Sequence, residues 1–198
     1  MNLRKAAFTV ALAMLYAVPT YAQNDAATAT EQVVTAALEQ LDQTLYYDPS
    51  YQRLAYPGGD VPLDRGVCTD VVVRAFRKAG VDLQVLVHDD MKAAFSAYPQ
   101  QWGLARPDPN IDHRRVPNMM TFFKRKSRAL PLSDDPAAFQ PGDVVAWRLP
   151  GGRLHVGVVS NVRARDARRY LMVHNIGAGA QLEDILFAFD IIGHYRYF

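Results

Sequence analysis

The hydrophobic period of this chain changes along its length, from about 3.6 residues to 2, and that change restricts the folds open to it. In the first half, apolar residues recur at helical spacing. Val33, Val34, Ala37, Leu38, Leu41 and Leu45 predict a helix over Glu31–Tyr46, preceded by a frayed polar leader at Gln23–Thr30. Val72, Val73, Phe76 and Ala79 predict a second helix over Cys68–Ala79, with Gly80 as its stop. Shorter helices are expected at Asp89–Ala97, with Asp89 as N-cap, and at Asn118–Lys126. After the Pro141-Gly142 turn the pattern alternates or runs apolar. It predicts strands at Asp143–Leu149, His155–Val162 and Tyr170–His174, with Gly193–Phe198 closing the sheet. Helices followed by an antiparallel sheet, with no internal repeat and no interdomain linker, make one α+β domain.

The N-terminus reads as an export signal. Arg4 and Lys5 precede an apolar run from Ala6 to Val18, too short to span a bilayer comfortably, and cleavage is expected after Ala22. No cysteine near that site offers a lipid anchor, so residues 23–198 are expected to be a single soluble domain in the periplasm or outside the cell, acting as a monomer. The full chain has 22 Lys and Arg against 20 Asp and Glu, and the signal holds two of the basic residues. Cleavage would leave a net charge of zero, which removes any argument for nucleic-acid binding.

Export makes the lone Cys68 conspicuous, because exported proteins normally pair their cysteines. It sits at a predicted helix start, where thiolate formation is favoured and first-turn N–H groups are free to hold an oxyanion. A nucleophilic thiol needs a base, and the base needs a third group to hold its ring. His155 opens one predicted strand, facing the Cys68 helix in this reading, and His174 ends the next, followed by Asn175. Tyr56 offers a phenolic donor to the same hole, or packs as a loop aromatic. Asp112-His113-Arg114-Arg115 lies in a Pro-bounded loop, where the arginines either clamp a substrate carboxylate or brace the loop through ion pairs of their own. Asp70 and Asp143 read as a first-turn acid and a turn-capping group.

In order along the chain, Tyr56-Pro57-Gly58-Gly59, the Cys68 helix start, Gly142-Asp143-Val144-Val145-Ala146-Trp147 and His155-Val156-Gly157-Val158 resemble the NlpC/P60 group of papain-like cysteine peptidases. The resemblance implies a papain-like α+β fold with Cys68 as nucleophile, His155 as base and His174, or else Asn175, as the orienting group. The cysteine departs from that group's pattern, sitting in Val-Cys-Thr-Asp where the group has Asp-Cys-Ser-Gly. A closer resemblance is carried by Gly66-Val67-Cys68-Thr69-Asp70, Ile111 to Asn118, Val173-His174-Asn175-Ile176-Gly177 and Gly193-His194-Tyr195-Arg196. These look like a bacterial exported family labelled domain of unknown function 1287.

The resemblance implies an exported cysteine amidase or peptidase acting on peptidoglycan peptides, with no metal and no organic cofactor. A non-catalytic wall-binding module that keeps the groove is the reading from a different class. An activated Cys68 is expected to alkylate rapidly at neutral pH or below.

Overall fold

The structure, a computed structural model, describes residues 20–198, with side chains from Asp25 onward. The expected export signal thus lies almost wholly outside the described residues. Four helices precede the main sheet: α1 (Thr20–Glu39), α2 (Cys68–Lys78), α3 (Leu83–Ala93) and α4 (Val116–Arg125). The two-residue strands β1 (Tyr46–Tyr47) and β2 (Arg65–Gly66) pair in parallel between α1 and α2. The C-terminal part supplies β3 (Val144–Arg148), β4 (Leu154–Arg163), β5 (Tyr170–His174), β6 (Gln181–Glu183) and β7 (Asp190–Tyr195). They form an antiparallel sheet in the order β6-β5-β4-β3-β7. The fold is α+β, with the helical part first.

Two helix boundaries differ from expectation. The first helix starts at Thr20 and gives way to a 3-10 turn at Gln40–Asp42. The supposed leader, Gln23–Thr30, carries Ala26, Ala27 and Ala29, the strongest of helix formers, and apolar periodicity does not register them. The third helix begins six residues ahead of its expected start. Asp82, not Asp89, is its cap, accepting the Gln84 N–H at 3.0 Å. Gly193 lies near the end of β7, which spans Asp190–Tyr195, not Gly193–Phe198.

The sheet is buried on both faces. Val144, Ala146, Val156, Val158 and Val173 pack with Val72, Val73 and Phe76 of α2 in the larger core. Val145, Trp147, Val159 and Met172 point the other way, under Phe139 and Leu186 from flanking loops. Strand alternation therefore assigns the odd residues of β4 to the face away from α2. That placement decides how the site is reached.

Candidate active site

Cys68 is the first residue of α2, and the turn before it is fixed by Asp70. The Asp70 carboxylate accepts the Val67 N–H at 2.7 Å and takes a two-pronged contact from Arg114, at 2.9 and 3.0 Å. Arg114 also donates to the Ser50 carbonyl at 3.1 Å and the Asp48 carbonyl at 3.3 Å, while its own carbonyl accepts the Thr69 hydroxyl at 2.8 Å. The helix start, the segment after β1 and the 3-10 turn at Asp112–Arg114 are thereby tied together. Asn175 adds a fourth tie, donating to the carbonyls of Gly66 and Tyr46 at 3.0 and 3.3 Å.

The second half of the site is built by β4, β5 and β6. In β4 the bonds from Leu149 N–H to the Arg153 carbonyl and from Val159 N–H to the Asp143 carbonyl commit the odd residues to β3. Even-numbered amides therefore point toward β5, whose pairing with β4 begins at Gly157 opposite His174. The Val156 amide projects past the end of β5, and there it meets the Cys68 sulfur. His155 does not face α2, as the sequence reading had it. Its ring lies on the other face, stacked on Trp147 with ring centroids 5.7 Å apart. Its Nε2 is 3.1 Å from His174 Nδ1, and His174 Nε2 is 3.0 Å from Glu183 Oε2.

Gly157 makes this closeness possible. A Cβ there would lie 2.9 Å from the Val173 carbonyl oxygen and 3.1 Å from the His174 Cβ, so a side chain would push β5 away.

Burial governs the charges. It pushes the Cys68 thiol up to about 12, with Asp70 adding to the shift, against the pull of the Val156, Thr69 and Cys68 N–H groups. It pushes His155 down to about 3, helped by His174, and His174 also goes down, with Glu183 opposing. Thiol and imidazole are thus both neutral at rest. With the thiol held neutral, Cys68 should alkylate slowly at neutral pH in the absence of substrate, which iodoacetamide labelling of the native protein would check.

A groove of about 920 Å³ opens over Cys68. Its walls include Tyr47, Trp102, Arg115, Lys124 and Arg153, and no acidic side chain among the described residues lines it. The Tyr47 phenol is pushed up by burial and Cys68 and drawn back by Arg153, so it lies within electrostatic reach of both. The Arg115 guanidinium rests 4.0 Å from the Trp102 ring centroid while Nη1 contacts Asp112 at 3.3 Å.

The six proposed binding residues therefore separate. Arg115 lines the groove. Arg114 touches it too, but its guanidinium is spent on Asp70 and two carbonyls, so it braces and does not clamp. Asp112 is buried, accepting the Asp108 N–H and holding Arg115. His113 is buried, Asn175 is fully buried as a tie, and none of the three lines the opening. Tyr56 lies apart from Cys68, edge-on to His88 and 3.4 Å from Asp89, and makes no oxyanion donor.

Sequence reasoning missed Tyr47, Trp102, Arg153 and Glu183. Only Tyr47 carried a signal, as an aromatic pair with Tyr46 ahead of the Asp48-Pro49 turn.

A family model described as domain of unknown function (DUF1287) matches residues 34–197. A relative from Escherichia coli (strain K12), the uncharacterized protein YijF, is 57% identical over 166 residues, which is 84% of this chain and 80% of that one. A solved structure of NlpC1 from Trichomonas vaginalis aligns at 13% identity with a TM-score of 0.42, over 87% of this chain and 44% of that one. This chain spans less than half the length of that structure.

Proposed function

The chain belongs to the family described as domain of unknown function 1287, and since that description names no reaction, we propose from the site's own chemistry that it is an exported cysteine amidase or peptidase acting on cell-wall peptides. One observation carries the reading. The sulfur at the first residue of α2 rests on the amide next to His155, and His155 is held by His174.

The chemistry follows from those positions. With substrate in the groove, the Cys68 proton passes to His155 and the sulfur attacks the amide carbon. Charge on the carbonyl oxygen is met by first-turn N–H groups of α2, which lack intrahelical partners. As the tetrahedral species collapses, the C–N bond breaks and His155 returns the proton to the leaving amine. Water, giving its proton to His155, then splits the thioester and restores the thiol. Because both groups rest neutral, the transfer creates opposite charges in a buried site. A base so placed contributes roughly 10²–10⁴ in rate.

The groove supports a substrate with free carboxylates, as the stem peptides of the wall have. Arg153 and Lys124 carry no ion pair among the described residues and both line the opening. Arg153→Glu should raise KM for a stem peptide roughly tenfold, about the worth of one charge-assisted hydrogen bond. It should leave KM for the amidated stem nearly unchanged. Equal effects on both peptides would show that charge does not select the substrate.

The main test is digestion of purified sacculi, resolved as muropeptides, by the wild type and by Cys68→Ala. New amide-cleavage products from the wild type alone are expected. The deep burial of the thiol favours a second reading, a wall-binding module without turnover. In that case both proteins would sediment with sacculi and neither would cut them.

A further inference from the structure

We propose that Glu183 is a positioning residue that fixes the tautomer of His155 through His174, leaving Nδ1 of His155 as the open lone pair. The assignment deepens the proposed role of His155 as base, but the tautomer is a property of the resting protein and is tested without any substrate.

The argument counts hydrogens along three groups. A carboxylate only accepts, so at 3.0 Å from Glu183 the His174 Nε2 must carry its hydrogen. His174 is fully buried, which disfavours its cationic form, so a neutral ring with a hydrogen on Nε2 has a bare Nδ1. That bare nitrogen is 3.1 Å from His155 Nε2, which must then be the donor. His155 is likewise buried and neutral, and its one hydrogen is now spent. Nδ1 is left as an acceptor. The opposite tautomer would present an N–H from Nδ1 and be useless for taking a proton from a thiol.

Strand β6 exists in the right register for this task. Glu183 pairs with Met172, two residues before His174 on the same face of β5, so its side chain reaches across to the ring. Glu183 sits on an edge strand with its side chain about half exposed, so it can be replaced with little effect on the core.

The experiment is a long-range ¹H–¹⁵N correlation on the ¹⁵N-histidine-labelled chain at pH 7, which reads the protonation of each ring nitrogen. The wild type should show His155 and His174 both protonated on Nε2. In Glu183→Leu the constraint is gone, and the Nδ1–H form of His155 should become populated. Glu183→Gln, whose amide oxygen can still accept from His174, should restore most of the wild-type pattern. If the protein cuts wall peptides, Glu183→Leu should also lower kcat about tenfold with KM unchanged, a part of the roughly 10²–10⁴ that a correctly protonated base contributes. His155 carrying its hydrogen on Nδ1 in the wild type, or unchanged tautomers in Glu183→Leu, would overturn the assignment. The expected tautomers in a protein that cuts nothing would uphold it while removing the hydrolase.

Discussion

Acidification from pH 7 to about 4 should strip several kcal/mol from the stability of the folded chain. Burial, with Arg114 and Arg77 adding to it, pushes His113 from its ordinary 6.5 down to about 4. Burial and His174 push His155 from 6.5 to about 3. Above pH 6.5 neither the native nor the unfolded chain protonates these rings, so stability is level. Below it, the unfolded chain takes up protons that the native site refuses, and stability falls as pH falls. The decline continues until the native rings protonate, near pH 4 for His113 and pH 3 for His155. At about 1.4 kcal/mol per pH unit, His113 accounts for about 3 kcal/mol by pH 4, and His155 for a similar amount there, with more lost only toward pH 3. Such a sum is a large part of the roughly 5–15 kcal/mol that holds a domain together. Guanidinium titrations between pH 7.5 and 4 should show the midpoint falling steadily below pH 6.5, and His113→Phe should reduce that slope. A midpoint independent of pH down to 5 would mean that these rings are wet.

Asp70→Ala should cost about 3–5 kcal/mol, the usual result of taking one partner from a buried ion pair. The side chains of Asp70 and Arg114 are 4% and 1% exposed. Without Asp70, the guanidinium keeps only the Ser50 and Asp48 carbonyls, and the Val67 N–H loses its cap. Arg114→Met should be as harmful, since it strands the carboxylate. The double variant should cost clearly less than the two single costs added, because it leaves no buried charge unpaired. Thermal unfolding of all four proteins measures the cycle. Additive costs would return Arg114 to the list of residues free to meet a substrate.

That pair shows where sequence reasoning stopped. Arg114 and Arg115 are adjacent and chemically alike, yet a 3-10 turn sends one inward to Asp70 and the other onto Trp102. Nothing in their spacing tells them apart, because the deciding partner is 44 residues away. The Cys68 helix was legible, since Val72, Val73 and Phe76 repeat along one face, and so were three of the strands. Strand β6 was not: it is three residues long and follows a glycine-rich stretch, which leaves no room for a period to register. Glu183 was missed with it. The face on which His155 lies was open to reading, because Val156 and Val158 claim the α2 side and period 2 then fixes their neighbours. Arg153 follows the Gly151-Gly152 turn of the β3–β4 hairpin, and its role depends on where that hairpin tip lands over Cys68.

The burial of Cys68 also bears on how a solitary thiol survives. In an unfolded chain it would be an ordinary thiol with a pKa near 8.5, and oxidants attack the thiolate. Folding buries it at the back of the groove and raises it to about 12, so the native state is its chemically sheltered form. Its two shelters come from opposite halves of the chain, the start of α2 and the Val156 amide of β4, so protection arrives only when helix and sheet dock. The interval before docking is the dangerous one. Any change that slows docking exposes the sulfur for longer, and oxidative damage would then accumulate in proportion to the time spent unfolded, even where the final fold is sound.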